Sequence, residues 1–348
     1  MTRAQRGSQT NELCLVTGAT GFIGGHIADR LVREGYRVRC LVRATSDTSA
    51  LTRLGVELVT GDLATTEPLA DVAHGCRYVL HCGAMVSDWA TVEEIRAVNV
   101  LGTRNLLEAS AAASAERFVH LSTTDVYGYP AKPGVDERYG SGQFSNWYSE
   151  TKREAEAEVR RAGQATGFET VILRPATVYG PNSEDVVGEM ARALRGGHMI
   201  LVSGGQAVAG LSYVANVVDA AVLALQADAA GGEAFNVTDG LDVTWRRFLT
   251  DLADGLGYRP PRFSIPYPAA YALAVSLEYG YRLLRRTTRL TTPPLLSRQA
   301  VHVLGRSQDF SNRKAREVLG WEPRVGYDEG LKATLAWLRE GPGSQPAA

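Results

Sequence analysis

The sequence predicts an α/β fold: a doubly wound parallel sheet with a smaller C-terminal substrate-binding region. Two observations carry this. The apolar run Leu13–Thr17 is followed at once by Gly18, Gly21 and Gly24, and then by a helical pattern. Strand-like runs near 13–17, 36–42, 56–60, 77–82, 117–121 and 170–174 alternate with helical patterns near 23–34, 66–74, 92–113 and 146–166. Strands that alternate with helices form a parallel sheet with crossover helices on both faces.

The first element explains its own glycines. Gly18 permits a sharp turn, Gly21 lets the backbone approach a pyrophosphate, and Gly24 lets the helix pack closely on the strand. The helix N-terminus offers unpaired N–H groups and a partial positive charge. The turn residues Gly18, Thr20, Gly21, Phe22, Ile23 and Gly24 are therefore expected to bind a dinucleotide.

After the sixth strand the pattern is less regular. A strand-like segment lies near 233–237, with helical patterns near 216–227, 244–256, 267–286 and 328–339. Residues 12–180 are expected to form the dinucleotide-binding domain, with 211–237 returning to it. Residues 181–210 and 238–340 are expected to form the substrate-binding region. Residues 1–11 and 341–348 read as polar tails, and 1–11 lacks the apolar core of a signal peptide. In open α/β sheets ligands bind beyond the carboxyl ends of the strands, so the cleft is expected between the two parts.

The 348 residues allow one large or two small domains. Hydrophobic residues make up 45% and charged residues 22%, as in ordinary globular chains. A net charge of −1 gives no reason to expect nucleic acid. Cys14, Cys40, Cys76 and Cys82 form no CxxC pair. They read as small apolar residues in a reducing cytoplasm, not as disulfides or a metal site. No apolar run reaches the length of a membrane span.

Tyr148-Ser-Glu-Thr-Lys152 places a phenol and an ammonium four residues apart on one helix face. A nearby ammonium favours the phenolate, so Tyr148 is expected to be acidified and able to exchange a proton with a substrate oxygen. The fifth strand ends in Ser122-Thr123-Thr124, any of whose hydroxyls is placed to bond the reacting oxygen. The same run could equally serve the backbone of the strand end.

Together these segments resemble the extended short-chain dehydrogenase/reductases, over about residues 12–340, closest to their 3β-hydroxysteroid dehydrogenase-like branch. The motif T-G-x-x-G-x-x-G is Thr17 to Gly24, and Tyr148 and Lys152 match the tyrosine and lysine. Counting back from Val126-Tyr127-Gly128 gives Thr123 as the catalytic hydroxyl. N-x-x-G-T matches Asn99, Gly102 and Thr103. The resemblance further implies cofactor contacts at Asp62 and Leu63, at Cys82, Gly83 and Ala84, and at Pro175, Ala176, Thr177 and Val178 of the R-P-x-x-V-Y-G-P stretch. It also implies a Rossmann fold, and a homodimer through the helices near 92–113 and 146–166.

The second strand ends in Val42-Arg43, where an NAD enzyme commonly places an acid. Arg43 suits a 2′-phosphate, so NADP is expected, with NAD as the alternative. Nucleotide-sugar members usually carry an Asn at the position of Thr177. They also carry an Arg before the returning strand, whereas here no Lys or Arg occurs from 199 to 245. Tyr267–Leu277 is apolar apart from Pro268 and Ser276. It is followed by Arg282, Arg285, Arg286, Arg289, Arg298 and Arg306, with no acid between Glu278 and Asp309. Such a helix could line a lipophilic pocket or make peripheral contact with anionic lipid, and its arginines could instead clamp a diphosphate.

The expected function is therefore an NAD(P)-dependent oxidoreductase. It would interconvert a secondary alcohol and a ketone on a largely apolar, sterol- or polyketide-like small molecule. Tyr148 would be the general acid/base, Lys152 would tune it and hold the nicotinamide ribose, and Thr123 would orient the substrate oxygen. The alternative is a nucleotide-sugar 4-epimerase with tightly bound NAD. A catalytically silent dinucleotide sensor is the third reading, and Thr123, Tyr148 and Lys152 argue against it.

Overall fold

The computed structural model describes residues 11–341, except 66–68, 88, 131, 141, 143, 145, 167 and 288–295. β1 (Leu13–Thr17) leads into α1 (Phe22–Arg33), β2 (Arg37–Val42), α2 (Ser49–Arg53) and β3 (Glu57–Thr60). Next come α3 (Ala70–Ala73), β4 (Tyr78–His81), α4 (Val92–Arg96), α5 (Gly102–Ala112) and β5 (Arg117–Leu121). They are followed by α6 (Trp147–Thr166), β6 (Glu169–Pro175), β7 (Thr177–Tyr179), α7 (Glu189–Arg195) and β8 (Leu201–Val202). β9 (Leu211–Tyr213), α8 (Val214–Gln226), β10 (Ala234–Val237) and α9 (Trp245–Leu256) precede β11 (Ser264–Ile265) and α10 (Tyr267–Thr287). The last helices are α11 (Arg298–Gly305), α12 (Arg313–Leu319) and α13 (Tyr327–Glu340).

Seven strands form one parallel sheet in the order β10-β6-β5-β4-β1-β2-β3. The order reverses between β1 and β4, which opens a crevice at their carboxyl ends. β1 is buried on both sides: Cys14 and Val16 join the core under α1 and α8, while Leu13 and Leu15 join the core under α5 and α6. A strand covered on both faces is continuously apolar, as Leu13–Thr17 is. α1 buries Gly24, Ile27, Ala28 and Leu31, one stripe at helical spacing. β10 closes the edge beside β6, and α8 packs on α1 and β5.

The helix expected near 92–113 is instead three consecutive pieces. α4 begins at a Thr91/Glu94 capping box, passes into a π-helical turn over Ala97–Leu101, and continues as α5. Asn99 sits in the π turn. Of the helix expected near 66–74, only Ala70–Ala73 lies in a described helix. α2, α7, α11, α12 and the small pairs β7·β9 and β8·β11 add to the elements expected from the sequence. Elements this short are held by tertiary contacts rather than by their own propensity. Residues 1–10 and 342–348 of the expected tails, Arg289 and the side chains of Arg282, Arg285 and Arg286 lie outside the described residues. All four cysteines are free, and no described helix is long and apolar enough to cross a membrane.

A chain of buried hydrogen bonds ties the motifs together. The Gly83 amide donates to Thr17 Oγ1, which lies 2.7 Å from His81 Nδ1. His81 Nε2 lies 2.9 Å from Thr103 Oγ1, and that hydroxyl donates to the Asn99 carbonyl. Thr103 has one proton and spends it on Asn99, so His81 donates through Nε2 and accepts at Nδ1. His81 is neutral, its pKa lowered to about 3 by burial and then by the Lys152 charge. His120 is held well below the ordinary value by the same two causes and by His81. His302 is lowered to about 4, by burial first and then by Arg306 and Arg298.

These three histidines bind protons more weakly folded than unfolded. Their contribution to stability is complete above an unfolded pKa of about 6.5 and is lost as pH falls toward the folded values. The unfolding free energy, and with it the urea midpoint, should therefore fall between about pH 6.5 and pH 5, before most carboxylates titrate; the free energy falls by up to about 1.4 kcal/mol per pH unit for each histidine. A midpoint that stays flat across that window would contradict the neutral, buried assignment.

Candidate active site

The turn after β1 and the stretch after β4 are in backbone contact. Gly18 has φ +69°, and a Cβ there would stand 2.7 Å from the Cys82 carbonyl carbon and the Gly83 nitrogen. A Cβ on Gly24 would stand 2.2 Å from the Gly18 oxygen. Both positions exclude any side chain, which brings α1 down onto the turn. Gly21 is the N-cap of α1 and has no capping side chain, so the first-turn N–H groups are left for an anion. This cradle fits the pyrophosphate of a dinucleotide. Phe22 and Ile23 are half-buried beside it, and Thr20 is exposed.

Neighbouring segments complete the crevice. Leu63 is buried, with its Cδ1 2.8 Å from where a Gly83 Cβ would lie and its backbone equally close to Gly102. Asp62 accepts from the Ala64 amide at 2.9 Å. Arg43 follows β2 directly and is exposed. Asn99 is 1% exposed; it accepts from the Met85 amide and donates to the Met85 carbonyl and to Thr151 Oγ1. On the far side Pro175 ends β6, the Ala176 amide donates to Val237, and Thr177 donates to Gln308 Oε1 at 3.3 Å. Cys82, Gly83, Ala84, Ala176, Thr177 and Val178 are all half-buried. Apart from Asn99 and the residues carried on α1 and α6, the expected cofactor residues follow the carboxyl ends of the strands.

Among the three hydroxyls after β5, the structure separates the roles. Ser122 donates to Glu156 behind the site, and Thr124 is 1% exposed. Thr123 caps the short 3₁₀ turn Thr124–Tyr127 and hydrogen-bonds Tyr148. Asn146 accepts from the Ser149 amide and so anchors the start of α6, the helix that carries Tyr148 and Lys152.

The sequence leads one to expect Lys152 to acidify Tyr148. The structure differs. Burial pushes the phenol well above its ordinary pKa, the Asp125 carboxylate adds to this, and the bond with Thr123 opposes it. Lys152 is 2% exposed and donates to the Leu121 carbonyl at 2.7 Å. Its ammonium is drawn to the end of β5. Burial lowers its pKa to about 8, against the raising effect of Glu156 and Cys82.

Several structural residues were not read from the sequence. Glu156 forms a buried ion pair with Arg174, with bonds of 2.8 and 2.5 Å. Arg174 also donates to the Tyr127 hydroxyl, which donates to Asn236. The motif arginine and the V-Y-G tyrosine are therefore one unit, and Glu156, one turn beyond Lys152, is the partner a spacing argument could have found. Gln299 of α11 donates to Asp125 at 3.0 Å and accepts from Asn146. No local pattern marks it. Among the described residues no cluster of His, Cys, Asp and Glu could hold a metal ion.

Residues 14–238 match the model of the NAD dependent epimerase/dehydratase family. The chain is 34% identical, over 95% of its length and 98% of the relative's, to a 4-hydroxy-2-methyl-3-oxo-4-farnesyl-3,4-dihydroquinoline-1-oxide ketoreductase of Stigmatella aurantiaca. It is 29% identical, over 94% of its length and 80% of the relative's, to 3beta-hydroxysteroid-dehydrogenase/decarboxylase isoform 1 of Arabidopsis thaliana. Among solved structures, UDP-glucose 4-epimerase of Thermotoga maritima, with UDP-glucose, matches with a TM-score of 0.77 and 25% identity. That match covers 94% of this chain and 99% of the other.

Proposed function

The chain belongs to the NAD dependent epimerase/dehydratase family, as an NAD(P)-dependent enzyme of the extended short-chain dehydrogenase/reductase class, and we propose that it interconverts a secondary alcohol and a ketone on a largely apolar small molecule. The observation that carries this is the meeting of Thr123, Tyr148 and Lys152 at the end of β5, beside the glycine cradle. We assign the cradle, Asn99 and the Pro175–Val178 stretch to the cofactor, and 181–210 with 238–340 to the substrate.

In this reading Tyr148 donates its proton to the carbonyl oxygen in reduction and takes it back in oxidation. Thr123 holds the phenol and the substrate oxygen in line, and Lys152 supplies the cation that would hold the nicotinamide ribose. The bound nicotinamide supplies the hydride chemistry. A phenol whose pKa is raised by burial is in its protonated form, the one that ketone reduction requires.

The apolar substrate is supported by charges already engaged. Arg298 is paired with Glu278 at 2.8 Å. Arg306 donates to the Tyr267 hydroxyl at 3.0 Å and to the Tyr129 carbonyl at 3.3 Å. Neither is left as an open diphosphate clamp. The two relatives named above act on farnesylated and steroid compounds by their names. Phe263, Leu273, Leu277, Tyr279 and Leu283 are exposed on or just before α10, a face suited to peripheral lipid contact. A homodimer through α5 and α6 completes the proposal.

Tyr148→Phe should lower kcat by about 10²–10⁴-fold while cofactor affinity stays nearly unchanged, because only the transferable proton is lost. Near-wild-type kcat would remove Tyr148 from the role. With NAD(P)H and a hydrophobic ketone, or NAD(P)+ and its alcohol, absorbance at 340 nm should change over many turnovers. No change there, with epimerisation of a UDP- or dTDP-sugar without added cofactor, would favour the 4-epimerase reading that the Thermotoga likeness offers. Arg43→Ala should weaken NADP by about 10–100-fold and NAD little, the worth of one charge-assisted bond of about 1.5–3 kcal/mol. Equal losses in titrations of the two cofactors would deny Arg43 the 2′-phosphate.

A further inference from the structure

His81 and His120 are register partners on β4 and β5, with ring centroids 5.3 Å apart, and both are fully buried. His81 has a partner on each nitrogen. His120 does not: Nε2 lies 3.2 Å from Lys152 Nζ, and Nδ1 has no partner among the described residues.

The lysine's surroundings define what His120 can do. From β5 it meets His120 and the Leu121 carbonyl; from β4 and the residue beyond, His81 and the Cys82 thiol; from its own helix, Glu156. Glu156 is already taken by Arg174 and Ser122, and Asp125 acts on Tyr148. The ammonium thus has two direct acceptors, the Leu121 carbonyl and the His120 ring. An ammonium donates and cannot accept, so His120 Nε2 must carry the lone pair and Nδ1 the proton. An unpartnered buried N–H is unfavourable, and the arrangement is accounted for if Nε2 is committed to the lysine.

We propose that His120 is a positioning residue for Lys152: its neutral imidazole presents Nε2 as the acceptor that keeps the ammonium charged and fixes it at the end of β5. The proposal rests on the reading of Lys152 as the site lysine. Loss of the acceptor disfavours the charged form, so the lysine deprotonates at lower pH.

The first test uses the wild-type protein. Nitrogen-15 NMR of histidine-labelled protein, with His120 assigned by its loss in His120→Gln, should show Nδ1 protonated and Nε2 bare near neutral pH. The opposite tautomer overturns the proposal, because Nε2–H cannot accept from an ammonium. The second test is the pH profile of kcat/KM. His120→Leu and His120→Asn should move the basic limb to lower pH by about half a unit or more, whereas His120→Gln, whose amide oxygen reaches the Nε2 position, should restore it. An unmoved limb in Leu and Asn, or the same shift in all three variants, makes His120 a packing residue only. Lys152→Met with wild-type kcat would instead remove the lysine from the reaction, a failure of the functional reading that leaves the tautomer result in place.

Discussion

The Thr17 hydroxyl has one proton to give, and the site is built around where it goes. It donates to His81, so it is left to accept from the Gly83 amide, and His81 must then donate to Thr103. Thr103 passes the constraint to the Asn99 carbonyl, and the Asn99 side chain binds the Met85 backbone and Thr151 on α6. The glycine turn, the stretch after β4, the π turn and α6 are therefore linked by directional bonds in a buried core. Each bond is strong there because its loss leaves a buried polar atom unpaired.

Behind the site a second unit holds β5 and β6 in place. The Glu156–Arg174 pair is almost fully buried, and its remaining bonds reach Ser122 and Tyr127. Ions in a core are tolerable only when paired and bonded in this way, and removing one partner alone typically costs about 3–5 kcal/mol. The pair also separates the hydroxyls: Ser122 is consumed in the scaffold, which leaves Thr123 for the phenol.

How much of this the sequence revealed depends on range. The strand and helix pattern was legible because β1 is one unbroken apolar run and α1 repeats its apolar residues at helical spacing. The cradle was legible because glycines at 18, 21 and 24 have a local reason to be glycine. The ionisation of Tyr148 was not legible. Helical spacing puts Lys152 on the same face, yet the ammonium turns to a carbonyl and a histidine of β5, and burial together with the Asp125 carboxylate raises the phenol. Gln299 reaches Asp125 across 174 positions, and no period encodes such a contact. The π turn at Asn99 likewise hides inside an unbroken helical pattern, since one widened turn leaves the apolar spacing nearly intact.

The position of β10 at the sheet's edge carries a consequence for the growing chain. β6 ends at Pro175 and its neighbour β10 begins at Ala234, 59 positions later by subtraction. During synthesis at about 5–20 residues per second, β6 waits roughly 3–12 s for its partner. Through that interval Val171, Ile172 and Leu173 form an open, apolar strand edge of the kind that recruits other chains. The nascent protein is therefore exposed to misassembly along β6 until a four-residue strand arrives to cover that edge.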